Sequence, residues 1–211
     1  MNELWKPDIN IGEELAALQA RNLKRDRTLV LFSGPSGVGK STIMNALNPN
    51  EYQQIQPIIT RPLREGEVDK KRVAEKDFDA MLANGELINS NEVFGAKYGL
   101  KLESVLKPLK EGKVPVTDMS LPNVDSIRRP NDYDVLSIYI YPGHPDNLNS
   151  RLAKAGRLTE DRLLDGLVEL DLLANSSFLH PNIDLSIVNQ EGQLFQTVEF
   201  MEDMLNLVLA H

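Results

Sequence analysis

Short apolar runs alternate along this chain with segments in which apolar residues return every three or four positions, a pattern that predicts strands and helices in turn. Over residues 8–23, Ile11, Leu15, Leu18 and Leu23 fall near helical spacing while Glu13, Glu14 and Arg21 take other positions, so an amphipathic helix is expected. A basic segment, 24–27, leads into the apolar run 28–33, which reads as a buried strand. Residues 40–47 read as a helix stopped by Asn48-Pro49, and 54–60 as a second strand. The stretch 75–84 predicts a helix with Phe78, Met81 and Leu82 on one face and Gly85 as its stop. A strand at 86–93, a turn at Gly95, a short helix at 104–110 and a strand at 113–117 follow. Residues 134–141 are apolar on both faces and give the clearest strand. Helices are expected at 145–154 and 160–174, a strand at 183–188 and an amphipathic helix at 194–209.

This alternation implies an α/β fold with a mainly parallel central sheet flanked by helices. Residues 1–27 read as an N-terminal helical extension that packs on the domain formed by 28–211, with a dimer contact as its other possible role. Neither an internal repeat nor a low-complexity tract interrupts the pattern.

Composition narrows the class. With 41% apolar and 26% charged residues in 211, the chain has globular proportions and the length of one domain with an appendage. The net charge of −8 disfavours non-specific nucleic-acid binding, though not a local basic pocket. The absence of cysteine removes disulfides, thiolate metal sites and cysteine nucleophiles. The polar start, with Pro7, resembles no secretory signal, and the apolar runs are far too short to span a bilayer. A cytoplasmic protein without a membrane partner is therefore expected, as monomer or homodimer. His144, His180 and His211 are scattered without metal-ligand spacing.

One motif carries most of the chemistry. Gly34-Pro35-Ser36-Gly37-Val38-Gly39-Lys40-Ser41-Thr42 fits G-x-x-x-x-G-K-[ST] at each fixed position, with an apolar strand before it and a helix after. Average residue frequencies give a chance match in roughly 0.7% of chains this long. Glycines let successive N–H groups turn inward around anionic oxygens, and the helix start adds its positive dipole end. Lys40 is expected on the β- and γ-phosphates of ATP, the Ser41 hydroxyl on Mg²⁺, and Thr42 towards the α-phosphate. Downstream, Thr60-Arg61-Pro62-Leu63-Arg64-Glu65-Gly66-Glu67 opens a segment, 61–72, with five basic and three acidic residues. Arg61 and Arg64 can fork around a second phosphate.

These residues together resemble the guanylate kinase family. GPSGVGKST is close to that family's phosphate loop, and TRPLREGE resembles its T-R-x-x-R-x-G-E acceptor loop. Residues 78–99, ending Phe94-Gly95-Ala96-Lys97-Tyr98-Gly99, resemble its small monophosphate-binding subdomain. Leu148-Asn149-Ser150-Arg151-Leu152 and the run from Arg162-Leu163 to Glu169 resemble the elements flanking its lid, and Ile187-Val188-Asn189 its closing strand. The resemblance covers roughly residues 28–210. It implies a P-loop kinase with an acceptor subdomain at about 57–101 and a short lid at about 154–162.

Residue by residue, the resemblance implies Lys40 and Ser41 for ATP and Mg²⁺, and Arg61, Arg64 and Tyr98 for the acceptor phosphate. It adds Arg151 and Arg162 as cations around the transferring phosphoryl group and Asp118 beside nucleotide and metal. The expected reaction is ATP-dependent phosphorylation of a nucleoside monophosphate, GMP or dGMP foremost. Another phosphate ester, such as ribose 1,5-bisphosphate, and a catalytically weak protein-binding module are the alternatives.

The departures concern base recognition. A serine four residues before the first arginine is here Pro57, the base-reading glutamate is Asn89, and the hydroxyl residue after Tyr-Gly is Leu100. No tyrosine follows Glu67 within 68–77, and an arginine before the lid glycine is Ala155, flanked by Lys154 and Arg157. Phosphate chemistry is better preserved than guanine reading, which implies relaxed or altered base choice.

Overall fold

The computed structural model of the chain describes residues 9–63, 67–93, 95–128, 132–175 and 180–209. Its centre is a five-stranded parallel sheet: β1 (Thr28–Ser33), β2 (Tyr52–Gln54), β7 (Val114–Asp118), β8 (Asp134–Pro142) and β9 (Leu185–Asn189), in the order β2-β7-β1-β8-β9. All six residues of β1 are buried, because helices cover both faces and leave no face for polar side chains. The α/β class with a parallel central sheet is thus the observed one.

A second, four-stranded sheet has the order β4-β3-β6-β5, from β3 (Ile58–Ile59), β4 (Lys71–Arg72), β5 (Leu87–Val93) and β6 (Ala96–Lys101). The stretch 54–60, expected as one strand, is therefore two strands in two sheets. Ile55 still donates its N–H to Val116 O of the large sheet, but Pro57 has no N–H to offer a ladder, and beyond it the chain pairs with β6. The hairpin partner β6 was not expected as a strand. Its Gly99 weakens the strand pattern, yet an added Cβ there would lie 3.0 Å from Asn89 O and 3.1 Å from Phe78 Cζ. Glycine is what lets the hairpin close on α3 (Glu75–Ala83), whose Phe78 is fully buried in this small core with Ile58 and Leu87.

The remaining helices are α1 (Ile11–Arg21), α2 (Lys40–Ala46), α4 (Leu102–Lys110), α5 (Asp146–Lys154), α6 (Glu160–Asn175) and α7 (Leu194–Val208). Short 3₁₀ turns at Arg25–Arg27, Leu121–Ile127 and His180–Asn182 fall where the chain carries no periodic apolar signal. In α1, Asn10 caps Glu13 N, Leu18 is buried, and the Glu14 carboxylate accepts from Ser186 N and Oγ at 2.8 and 2.7 Å. Arg21 meets Asp184 at 2.7 Å and donates to Val135 O. These contacts seat α1 along the β8–β9 edge of the sheet.

No described helix is long and apolar enough to cross a membrane.

The site is set by the carboxyl end of β1. Met119 donates its N–H to Phe32 O, and Ser33 Oγ donates to Met119 O, so the ends of β1 and β7 are tied together. The phosphate loop leaves one strand and Asp118 ends its neighbour, outside the carboxyl ends where open α/β sheets bind ligands.

Candidate active site

Residues 34–39 form a loop between β1 and α2. Gly39, at φ 106°, sits at the N-cap of α2 with no side-chain cap, and an added Cβ would lie 2.5 Å from Asn189 Nδ2. Only glycine fits both that conformation and that approach. The Val38 carbonyl is fixed from two sides: Asn189 Nδ2 donates to it at 2.8 Å and Arg151 Nη1 at 2.9 Å. Arg151 Nη2 donates to Asn189 O at 2.9 Å. Fixing that carbonyl also fixes the orientation of the following peptide N–H at the start of α2, where an anion binds. Arg151 thus braces the loop, and burial holds its guanidinium below its ordinary pKa, against the opposing charge of Glu191.

Lys40 folds its ammonium back on the loop, donating to Gly34 O at 2.6 Å and Pro35 O at 3.2 Å. Burial pushes its pKa below the usual lysine value. The carboxylates of Asp118 and Glu169 oppose that shift, while Arg157 and Lys70 add to it. A cavity of about 530 Å³ opens here, lined by Ser36, Gly37, Gly39, Lys40, Ser41 and Thr42 together with Asp69, Lys70, Asp118, Arg151, Lys154 and Arg157. Five cationic side chains and three carboxylates, Asp69, Asp118 and Glu191, line it, a local excess of positive charge in a chain of net charge −8. Such an excess favours a polyanion.

A smaller pocket of about 200 Å³ lies beside it, between the two sheets. Pro57, Asn89, Asn91, Tyr98, Gly99 and Leu100 form the small-sheet wall; Thr117, Asp118, Met119, Ser120 and Asn123 form the other. Asn89 is held by its surroundings: its Oδ1 accepts from Leu100 N at 3.2 Å and its Nδ2 donates to Ser126 Oγ at 3.4 Å. Ser126 Oγ in turn donates to Asn123 O at 2.6 Å. Thr117 Oγ1, on the far wall's strand, is buried without a hydrogen-bond partner.

Arg61 stands at the edge of the small sheet. Its Nη1 and Nη2 make a bidentate pair with Glu67 at 2.7 Å each, and its Nε donates to Tyr98 OH at 3.0 Å. Hydrogen bonding to Glu67 raises its already high pKa further, so this guanidinium is a fixed charge. Arg64 lies outside the described residues. Arg162, in the first turn of α6, is not among the residues lining either cavity. Of the sequence-predicted residues, Ser36, Gly37, Gly39, Lys40, Ser41, Thr42, Asp118, Asn89, Tyr98 and Arg151 line the two adjoining cavities, Arg151 with its guanidinium on the Val38 and Asn189 carbonyls, whereas Gly34, Pro35 and Val38 line neither and Arg61 is turned to Glu67. Lys70 and Arg157 were missed as site residues. Lys70 stands in a run of charges, Asp-Lys-Lys-Arg, which reads as solvated surface, and the only signal for Arg157 was its nearness to the lid glycine.

A family model described as guanylate kinase matches residues 25–206. The chain belongs to the guanylate kinase family. A guanylate kinase of Nostoc sp. is 32% identical over 171 residues, covering 77% of this chain and 82% of the relative. One from Thermobifida fusca is 29% identical over 192 residues, covering 87% and 92%. The crystal structure of guanylate kinase from Anaplasma phagocytophilum superposes with a TM-score of 0.61 at 23% identity, over 87% of this chain and 86% of that one, which bears on the fold alone. As a guanylate kinase family member the chain is an ATP- and nucleotide-binding transferase, a kinase built on the P-loop fold. That membership also favours the enzyme over the protein-binding module.

Proposed function

We propose that this kinase transfers the γ-phosphoryl group of ATP to GMP or dGMP. The observation that carries the reading is the pair of adjoining cavities, one built on the phosphate loop and one between the two sheets, which share Asp118 and Lys70. The curated relatives named guanylate kinase favour GMP as the acceptor.

In this reading Lys40 leaves the Gly34 and Pro35 carbonyls for the β- and γ-phosphates, where its charge opposes the charge developing in the transition state. Thr42 serves the α-phosphate side. Arg61, with Tyr98 and Arg64, receives the acceptor phosphate, and Asp118 and Asn89 border the base. The bidentate grip of Glu67 keeps Arg61 oriented before substrate arrives, which lowers the cost of ordering it. Arg151 acts through the loop backbone it holds, and Arg162 approaches only if α5 and α6 close as a lid. The attacking oxygen is already anionic near neutral pH, so positioning and charge neutralisation outweigh proton abstraction.

Mg²⁺ fits the oxygen chemistry of the donor cavity: the Ser41 hydroxyl and the Asp118 carboxylate line it and would be the residues to hold the ion, which would supply further charge neutralisation there. The test is a coupled assay of ADP release with ATP and GMP, dGMP, AMP, UMP, CMP or ribose 1,5-bisphosphate. Turnover is expected with GMP and dGMP; turnover with ribose 1,5-bisphosphate alone would replace this reading with the phosphate-ester one.

A further inference from the structure

Among the described residues, Lys70 is the one cationic side chain lining the smaller pocket, and only it and Asp118 line both cavities. Its place is set by the backbone. Lys71 donates its N–H to Pro57 O at 2.9 Å and pairs in register with Ile58, which pins Lys70 at the seam between the two sheets. The side chain is 18% exposed, and its ammonium rests 3.0 Å from Asp69 Oδ2, the carboxylate of its own neighbour. The pair is a single contact between adjacent residues, and both side chains keep some solvent exposure, so a phosphate oxygen can take the place of the carboxylate. Lys40, on the loop side of the seam, feels the charge of Lys70.

A phosphoryl transfer brings two anionic groups together at such a seam, and their repulsion must be offset where they meet. Lys40 is held on the donor side by the loop carbonyls and Arg61 on the acceptor side by Glu67. We propose that Lys70 binds the acceptor phosphate at the junction of the two cavities, its ammonium moving from Asp69 to a phosphate oxygen. Asp69 is then the counter-ion that parks Lys70 between turnovers. This assignment rests on the acceptor reading above and extends it to a residue that the phosphate-loop and two-arginine motifs do not contain.

The test compares wild type with Lys70→Met, Lys70→Arg and Asp69→Asn, by steady-state kinetics and by calorimetric titration with GMP, after thermal melts establish folding. Loss of a charge-assisted contact of this type predicts a GMP KM and Kd about ten- to a hundredfold higher in Lys70→Met, with the ATP KM within about twofold. Lys70→Arg is expected to recover most of the loss. Asp69→Asn is expected to leave GMP binding as tight or tighter, since it removes a competitor for the ammonium. Lys70→Gln takes the place of the Met variant if that one does not fold. Unchanged GMP affinity on loss of the charge, or an equal loss in Asp69→Asn, would overturn the assignment, the latter by making the pair purely structural. Wild-type protein without GMP turnover would instead overturn the acceptor reading itself.

Discussion

The Tyr139 hydroxyl donates to Glu169 Oε1 at 2.5 Å, which joins the interior strand β8 to α6 through a half-buried carboxylate close enough to Lys40 to support its charge. Tyr139 is fully buried. Burial pushes the Glu169 pKa above its ordinary 4.5, while the Tyr139 hydrogen bond and Lys40 pull it down. Burial and the facing carboxylate raise the Tyr139 pKa too, so the proton stays on the phenol.

A raised carboxylate pKa means that the folded state keeps a proton the unfolded state has lost, so this group's contribution to stability declines as pH rises from about 4.5 through the native value. Tyr139→Phe removes a contact that favours the charged form and raises that pKa further. The expected cost is about 1–3 kcal/mol near pH 8 and less near pH 5, by denaturant unfolding. An equal cost at both values would show that Glu169 is not the group involved.

Much of this was readable from the chain because the physics was local. Glycines at 34, 37 and 39 with Lys40 after an apolar run admit few other structures, and the buried strands of the large sheet announce themselves by unbroken apolar runs such as 28–33. The small sheet was harder. Ile58–Ile59 and Lys71–Arg72 are two-residue strands whose pairing depends on residues far along the chain, and Gly99 is explained only by the approach of Asn89 and Phe78. The roles of Arg61 and Arg151 divide likewise. Their charge was legible, but not that Glu67 and the Val38 carbonyl are their partners in the free protein. Lys70 was invisible as a site residue because its value lies in where two sheets meet.

Lys40→Met is expected to lower kcat by at least about a hundredfold, since it removes a preorganised charge aimed at the transferring group. The fold should persist, because the ammonium's hydrogen bonds in the free protein go to loop carbonyls. Turnover near wild type in the coupled assay, with an unchanged far-ultraviolet spectrum, would exclude Lys40 from the reaction.

Arg61→Ala should raise the GMP KM by about ten- to a hundredfold with little change for ATP. Glu67→Gln should reproduce part of that effect, because the amide cannot accept both guanidinium bonds and Arg61 then loses its fixed orientation. Steady-state kinetics with each substrate varied in turn separates the two sides. A matching rise in the ATP KM in both variants would put this arginine on the donor side.

Base choice is where the chain's own substitutions lead. Pro57 and Leu100 line the smaller pocket without a polar side-chain atom to read a base edge. Asn89 presents an amide whose orientation is fixed: the Leu100 N–H requires an oxygen facing it, and Ser126, which spends its proton on Asn123 O, requires a donor. An amide has one acceptor group where a carboxylate has two oxygens for the paired N–H donors of guanine. Two lost contacts of about 1–3 kcal/mol each remove on the order of 100-fold in discrimination. The expected outcome is GMP preferred over AMP in kcat/KM by well under the 10⁴-fold or more that a fully hydrogen-bonded polar pocket achieves. Asn89→Asp should not fully restore the preference: the carboxylate still accepts from Leu100 N, but it has no donor for Ser126 Oγ, whose proton must turn from Asn123 O to meet it and so occupies the second oxygen. A Ser126→Ala control isolates that contact, since it frees the Asn89 amide without removing it and should alter selectivity while sparing the hairpin. Guanine preference of several orders of magnitude in the wild type would mean that Asp118, Asn91 or the backbone of this pocket reads the base, and the loss of side-chain readers at 57 and 100 would carry no cost.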